Sequence, residues 1–175
     1  DHPVMANELG LRAGEGRLGE MGLGFERRQE MRRQQTLADL GALAVNELSS
    51  EQHLDRLALR SMVLAECEDF DRRVHRLEPD AVDRVFGILL HELQRGEDEP
   101  ARAKRNVRSV LRAAPRYLSQ AVRMIDRPES VWRHIMQQSV AGAGALFDAA
   151  QLFLGQKDIK LVASAQRAVG RYHDT

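Results

Sequence analysis

The stretch His91-Glu92-Leu93-Gln94-Arg95 begins as a helical zinc motif would, with an imidazole and a general-base carboxylate side by side. Zinc in that motif needs a second imidazole one helical turn further on, and Arg95 stands there instead. A guanidinium keeps its proton and cannot ligate, so the stretch makes no metal site. Asp71 and His75 are spaced i, i+4, close enough on a helix for an ion pair or half a metal site, with Glu68 one turn back. No third imidazole or thiol is spaced to complete it, and a solvated helix face accounts for these residues as well. Cys67 lies beside Glu66, Glu68 and Asp69, which raise rather than lower a thiol pKa, so a small buried apolar role fits it better than nucleophilic catalysis. The six histidines are scattered, and no Ser-His-Asp arrangement can be argued from spacing.

Two further patterns concern anions. Gly14, Gly16 and Gly19 satisfy G-x-G-x-x-G, which binds dinucleotides when it follows a strand and opens a helix. A helical segment precedes it here and no β-rich run is near, so no cofactor is expected from it. Arg102, Arg105, Arg108 and Arg112 form a row opposite the apolar stripe of Ala103, Val107, Val110, Leu111 and Ala114. Lys104, Arg116, Arg123 and Arg127 extend it, making the one sizeable charge asymmetry of the chain. The row is a candidate binding face for an acidic protein or for phosphates. Stacking aromatics are absent beside it and Glu97-Asp98-Glu99 would repel a phosphate backbone, which disfavours nucleic acid. Ion pairs within the chain are its bland use.

Helices must position these residues. Val131, Trp132, Ile135, Met136, Val140, Ala143, Leu146, Phe147, Ala150 and Phe153 recur every three or four residues and read as the core helix, with Trp132 buried. The run Ala141-Gly142-Ala143-Gly144-Ala145 in its middle predicts a tight crossing with a neighbouring helix. Ser49 opens a capping box with Gln52, and Leu54, Leu57, Leu64, Cys67, Phe70, Val74 and Leu77 continue an apolar stripe to Pro79. Its spacing is somewhat below 3.6, so the stripe should wind around its helix. Asp80 caps a helix to about Arg95 with Val82, Val85, Phe86, Leu89, Leu90 and Leu93 inward, and Pro100 suits the first turn of the next, which Pro115 ends. Helical patterns also cover residues 3–9, 25–46 and 156–172, the last facing inward through Ile159, Val162, Ala165, Ala168, Val169 and Tyr172.

The 26 basic and 26 acidic residues cancel, so no global field draws the protein to nucleic acid or an anionic membrane. Only three of the basic residues are lysine. A single cysteine rules out an internal disulfide and leaves the compartment open. No stretch approaches the roughly 20 apolar residues a membrane span needs. The expected fold is all-α, a single domain of about seven helices in a bundle-like lobe, with a short helix and glycine-rich loop over 1–24 and the helical bundle over 25–175.

Several short stretches, taken in order, are His2-Pro3-Val4 with Ala6 and Leu9-Gly10; Gly16-Arg17-Leu18; Leu48-Ser49 through Leu54-Asp55 and Leu57 to Arg60; Pro115 with Leu118; Pro128 through Trp132; and the Ala/Gly run with Leu146-Phe147. Their order and spacing resemble the N-terminal helical region of the bacterial family catalogued as domain of unknown function 885, which is related to zinc metallopeptidases of the H-E-x-x-H class. The resemblance covers nearly the whole chain, although the tract after Gly10 lacks the His-Tyr-Asp-like residues of a typical member. It implies a helical lobe that walls a substrate channel in a zinc-dependent hydrolase, with the remainder of its parent chain, or an equivalent lobe, as partner. In that family the zinc ligands lie beyond the matching region, so no catalytic, cofactor or metal residue transfers to this sequence, and the chain is expected to be silent by itself. Such a lobe should expose an apolar patch around Leu146 to Phe153 or Ile159 to Tyr172.

Overall fold

The computed structural model describes residues 12–76, 80–125 and 130–173. The expected helix at 3–9, and Leu77 and Arg127, fall outside them. Among the described residues the regular elements are helices: α1 (Leu23–Ala42), α2 (Ser50–Asp71), α3 (Ala81–Arg95), α4 (Pro100–Val122), α5 (Ser130–Leu154) and α6 (Ile159–His173), with short 3₁₀ turns between some of them. The chain is all-α, as its periodicity requires.

Helices α3 to α6 form a four-helix bundle. Helix α4 packs mainly on α3 and α6, while α5 packs on the same two from the far side, so α4 and α5 face each other across the diagonal. Apolar stripes explain the arrangement. Val82, Val85, Ile88 and Leu89 of α3 meet Val107, Val110, Leu111 and Ala114 of α4, and Val162, Ala165, Val169 and Tyr172 of α6 close the same core. Phe147 of α5 is 1% exposed and meets Phe86 of α3 edge-on, the ring centroids 6.1 Å apart.

Four expectations need correction here. Pro115 does not end a helix: it sits inside α4, half-buried, and the helix expected to stop there runs on to Val122. A proline in a helix interior removes a hydrogen bond and costs about 3 kcal/mol. The stripe, however, runs unbroken through Ala114, Tyr117, Leu118 and Ala121, all buried, and each large side chain kept in the core contributes roughly 1.5–3 kcal/mol, enough to offset that loss. Trp132 is only half-buried: it shares the face of buried Met136 but lies in the first turn of α5, at the end of the bundle. The Ala/Gly run makes no tight crossing, since a Cβ added at Gly142 or Gly144 would meet nothing within 4 Å. The close approaches occur elsewhere. A Cβ on Gly96, just after α3, would lie 2.7 Å from the Phe153 ring, and one on Gly16 would lie 2.9 Å from the Asn106 Cα. Finally, Leu90 points outward at 50% exposure; the inward residue in its place is treated below.

Helices α1 and α2 make a separate hairpin, packed chiefly on each other. The capping box at the start of α2 forms as expected, Ser49 Oγ accepting from Gln52 N and Gln52 Oε1 from Ser49 N. The expected stripe on α2 winds away from its partner. Val63 is buried and Cys67, Phe70 and Val74 are half-buried, but Leu54, Leu57 and Leu64 are exposed, Leu54 by 66%. A stripe of short period drifts around a helix, and α1 does not follow it. His53 and Arg56 take the inner positions, Arg56 Nε donating to the Leu40 carbonyl at 2.7 Å. The exposed apolar side chains therefore gather on the hairpin, with Met31 and Met62 among them. The patch expected on α5 and α6 reduces to Leu152 and Ile159, because Phe147, Val162, Val169 and Tyr172 are buried.

Candidate functional site

A glycine-rich loop, residues 12–22, crosses α3 and α4, and what fastens it there also shapes a cleft. Glu92 occupies a stripe position, three residues after Leu89 and seven after Val85, and its side chain is wholly buried. Its Oε1 accepts the Gly16 N–H at 3.1 Å, and its Oε2 accepts from Asn106 Nδ2 at 3.0 Å. Arg95 Nη1 donates to the same carboxylate at 3.5 Å and stands 3.6 Å from Glu15 Oε1. Glu15 also accepts from Asn106 at 3.4 Å and pairs with Arg102. A buried carboxylate needs such donors, because an unpaired charge in the interior is strongly destabilising.

This cluster answers both patterns that hinted at ligands. Gly16 adopts φ 65° and Gly19 φ 82°, a conformation that favours glycine. The backbone N–H of Gly16, the group that would face a phosphate in a nucleotide site, is taken by Glu92. Of His91-Glu92-Leu93-Gln94-Arg95, the glutamate and the arginine hold the loop. Among the described residues no group of three His, Cys, Asp or Glu is placed to hold a metal ion. The role of Glu92 was legible in principle, since an acidic residue at a stripe position must find donors when the helix packs.

Cys67 is half-buried in the hairpin, and burial, followed by the neighbouring Glu30 carboxylate, pushes its thiol above the ordinary range. A thiol so placed is a poor nucleophile.

The arginine row divides into engaged and open members. Arg102 is held by Glu15 and, at 2.9 Å, by Glu99. Arg108 makes a forked contact with Asp158, at 2.9 Å from Nη2 and 3.1 Å from Nε, which fastens the turn before α6 onto α4. The hydrogen bond from Arg108 is the main reason the Asp158 carboxyl is held below its usual range, and the one from Arg102 does the same for Glu99. Arg105 is exposed and turns back to the Ala101 carbonyl at 3.4 Å. Arg112 and Arg116, one turn apart and exposed, have no carboxylate within ion-pair distance among the described residues, although Asp158 lies near enough to Arg112 to feel its charge.

These two arginines line a cleft of about 820 Å³ between the loop, α1 and α4. Gly19, Glu20 and Met21 form one wall, Arg28 of α1 another, and Ser109, Arg112, Ala113, Arg116, Tyr117 and Gln120 of α4 the floor. Glu20 pairs with Arg28 at its edge. The volume falls in the range of about 300–1,000 Å³ usual for ligand sites. What the site offers is guanidinium, hydroxyl and amide donors, without a nucleophile held by a base. Of the candidate set Arg102, Arg105, Arg108 and Arg112, Arg112 lines the cleft, together with Arg116 of the extended row and Arg28 of α1.

Searches against family models, curated proteins and solved structures found no match to this chain. Its function has to be read from its own geometry. Among the described residues no helix is long and apolar enough to cross a membrane.

Proposed function

We propose that the chain is a helical interaction module that binds an acidic protein partner through the arginine-lined cleft on α4. The observation that carries this reading is the contrast within one row: Arg102 and Arg108 are spent on carboxylates of the chain itself, whereas Arg112 and Arg116 stand open in a concave site of ligand size. Exposed arginines without a fixed partner keep their donors for an incoming anion, and Arg forms bidentate pairs with carboxylates at little cost in dehydration. The guanidinium, hydroxyl and amide donors of the cleft suit the binding of an anion. Charge reversal tests it: the double variant Arg112→Glu/Arg116→Glu should abolish salt-sensitive capture of acidic partners at low ionic strength. Unchanged binding in that variant rules the reading out.

A second reading, the channel-wall lobe of a zinc metallopeptidase-like hydrolase, draws on the uncovered leucines of the hairpin, which the remainder of a parent chain would cover. It requires the reading frame beyond Thr175 to encode H-E-x-x-H and a later glutamate. A stop codon directly after Thr175 in the native gene would remove it.

A further inference from the structure

We propose that the cleft recognises a pair of carboxylates about one helical turn apart on an acidic segment of the partner protein, and that Glu20 is a stand-in carboxylate which the partner displaces from Arg28. The inference rests on the reading of the cleft as the binding site and adds which anion it takes and what guards it.

Carboxylates are what this surface already uses. The arginines with ionic partners around the loop and along α4 all pair with carboxylates: Arg28 with Glu20, Arg95 with Glu15 and Glu92, Arg102 with Glu15 and Glu99, and Arg108 with Asp158. Arg112 and Arg116 are separated by four residues, a rise of about 6 Å along α4. Two acidic side chains at i and i+4 of a partner helix have the same spacing, so each can meet one guanidinium, and a third carboxylate of the acidic segment takes the place of Glu20 on Arg28.

Polyphosphate fits less well. The chain has no net charge, Glu20 sits on the cleft wall, and the only aromatic residue lining the cleft, Tyr117, is buried at 4% exposure and offers no face for a base. Glu20 and Arg28 are both well exposed, at 68% and 55% of their side chains. An exposed pair of this kind is weak, and an incoming carboxylate that replaces Glu20 gives Arg28 back an equivalent partner. Glu20 thereby sets a threshold. An anion too poor to compete for Arg28 meets two arginines and one repelling carboxylate, whereas a carboxylate-rich segment meets three arginines.

The loop can perform this role because its backbone is fastened on both sides of Glu20, Leu18 being buried and Met21 packed on the core, so that only the Glu20 side chain has to move. Gly16 and Glu15 are held by Glu92, Asn106, Arg95 and Arg102, while Glu20 lies beyond the last of these contacts.

The test is isothermal titration of the full chain with an alanine-based helical peptide carrying three glutamates, two of them at i and i+4, each variant first checked for an unchanged thermal midpoint. Arg112→Gln and Arg116→Gln should each weaken binding by about tenfold. Glu20→Gln should tighten it by about two- to fivefold, the size expected for removing an exposed competing charge. Unchanged or weakened binding in Glu20→Gln overturns the displacement. Inorganic phosphate or a single-stranded oligonucleotide displacing the peptide at lower concentration than unlabelled peptide does overturns the carboxylate assignment and leaves the cleft in place. If no anionic probe responds to Arg112→Gln and Arg116→Gln, the cleft itself is wrong and both proposals go.

Discussion

The bundle and the hairpin are both made of amphipathic helices, yet they are held together by different forces. In α3 to α6 the buried residues are almost all apolar, with Val82, Val85, Leu89, Val107, Val110, Leu111, Ala114 and Ala165 completely covered. In α1 and α2 only Gln29, Leu40 and Val63 are buried. The hairpin relies on polar links: the capping box at Ser49, Arg56 on the Leu40 carbonyl, Arg33 on Glu66 at 3.2 Å and over the Phe70 ring, and Arg76 forked onto Glu26 at 2.7 and 3.2 Å. Apolar burial scales with area, whereas surface and half-buried polar links each contribute little once the cost of dehydrating and ordering them is counted. Two helices meeting along one line cannot enclose a core as four can, so the hairpin should open more readily than the bundle.

That difference can be attacked directly. Phe147→Ala, at the centre of the bundle, should lower stability by about 3–5 kcal/mol in urea denaturation, while Leu54→Ala on the hairpin should change it by less than about 0.5 kcal/mol. Comparable losses from both would erase the distinction. Glu92→Ala leaves the Gly16 N–H without its acceptor and Asn106 with only its longer contact to Glu15, and should cost about 1–3 kcal/mol, with amide exchange at residues 14–21 accelerated before that of α4. Equal acceleration in both would mean that the loop is not a separate layer.

Alkali should act on the bundle. Burial pushes the hydroxyls of Tyr117 and Tyr172 above the usual tyrosine range. Above about pH 10 the unfolded chain releases these protons while the folded chain retains them, so stability is full below about pH 10 and falls as pH rises towards the folded-state values. The urea midpoint of the wild type should decline over that range and that of Tyr172→Phe should decline less; parallel curves would place the titration elsewhere. The smallest effect belongs to the hairpin: raising salt from 0.1 to 1 M screens Arg33–Glu66 and should speed exchange of α2 amides by less than about fivefold, equivalent to under about 1 kcal/mol.

The sequence announces an element wherever one local signal decides it. Ser49 and Gln52 cap α2, Pro100 opens α4, and the stripes of α3, α4 and α6 name most of their buried residues. It is silent where the decision depends on a partner. Pro115 reads as a stop until the burial of Tyr117 and Leu118 outweighs it, and the Ala/Gly run permits a close crossing that no neighbour uses. Leu54, Leu57 and Leu64 look like core because periodicity says that a face exists without saying that anything covers it. The arginine row was visible, but which members stay open depends on Glu15, Glu99 and Asp158, and two of those lie far from the row in sequence. The cleft needs three segments brought together, so no single stretch announces it.

The placement of Trp132, Tyr117 and Tyr172 has an optical consequence. These are the chain's only tryptophan and its two tyrosines, and all lie in α4, α5 and α6. The hairpin, residues 23–71, has neither. Intrinsic ultraviolet emission therefore reports the bundle and is nearly blind to the hairpin, so a melt followed by emission can look like one clean transition after α1 and α2 have already unravelled. Far-ultraviolet ellipticity counts helical turns wherever they are. The separation between the two melting curves would measure, without any label or substitution, how independently the hairpin lives from the rest of the molecule.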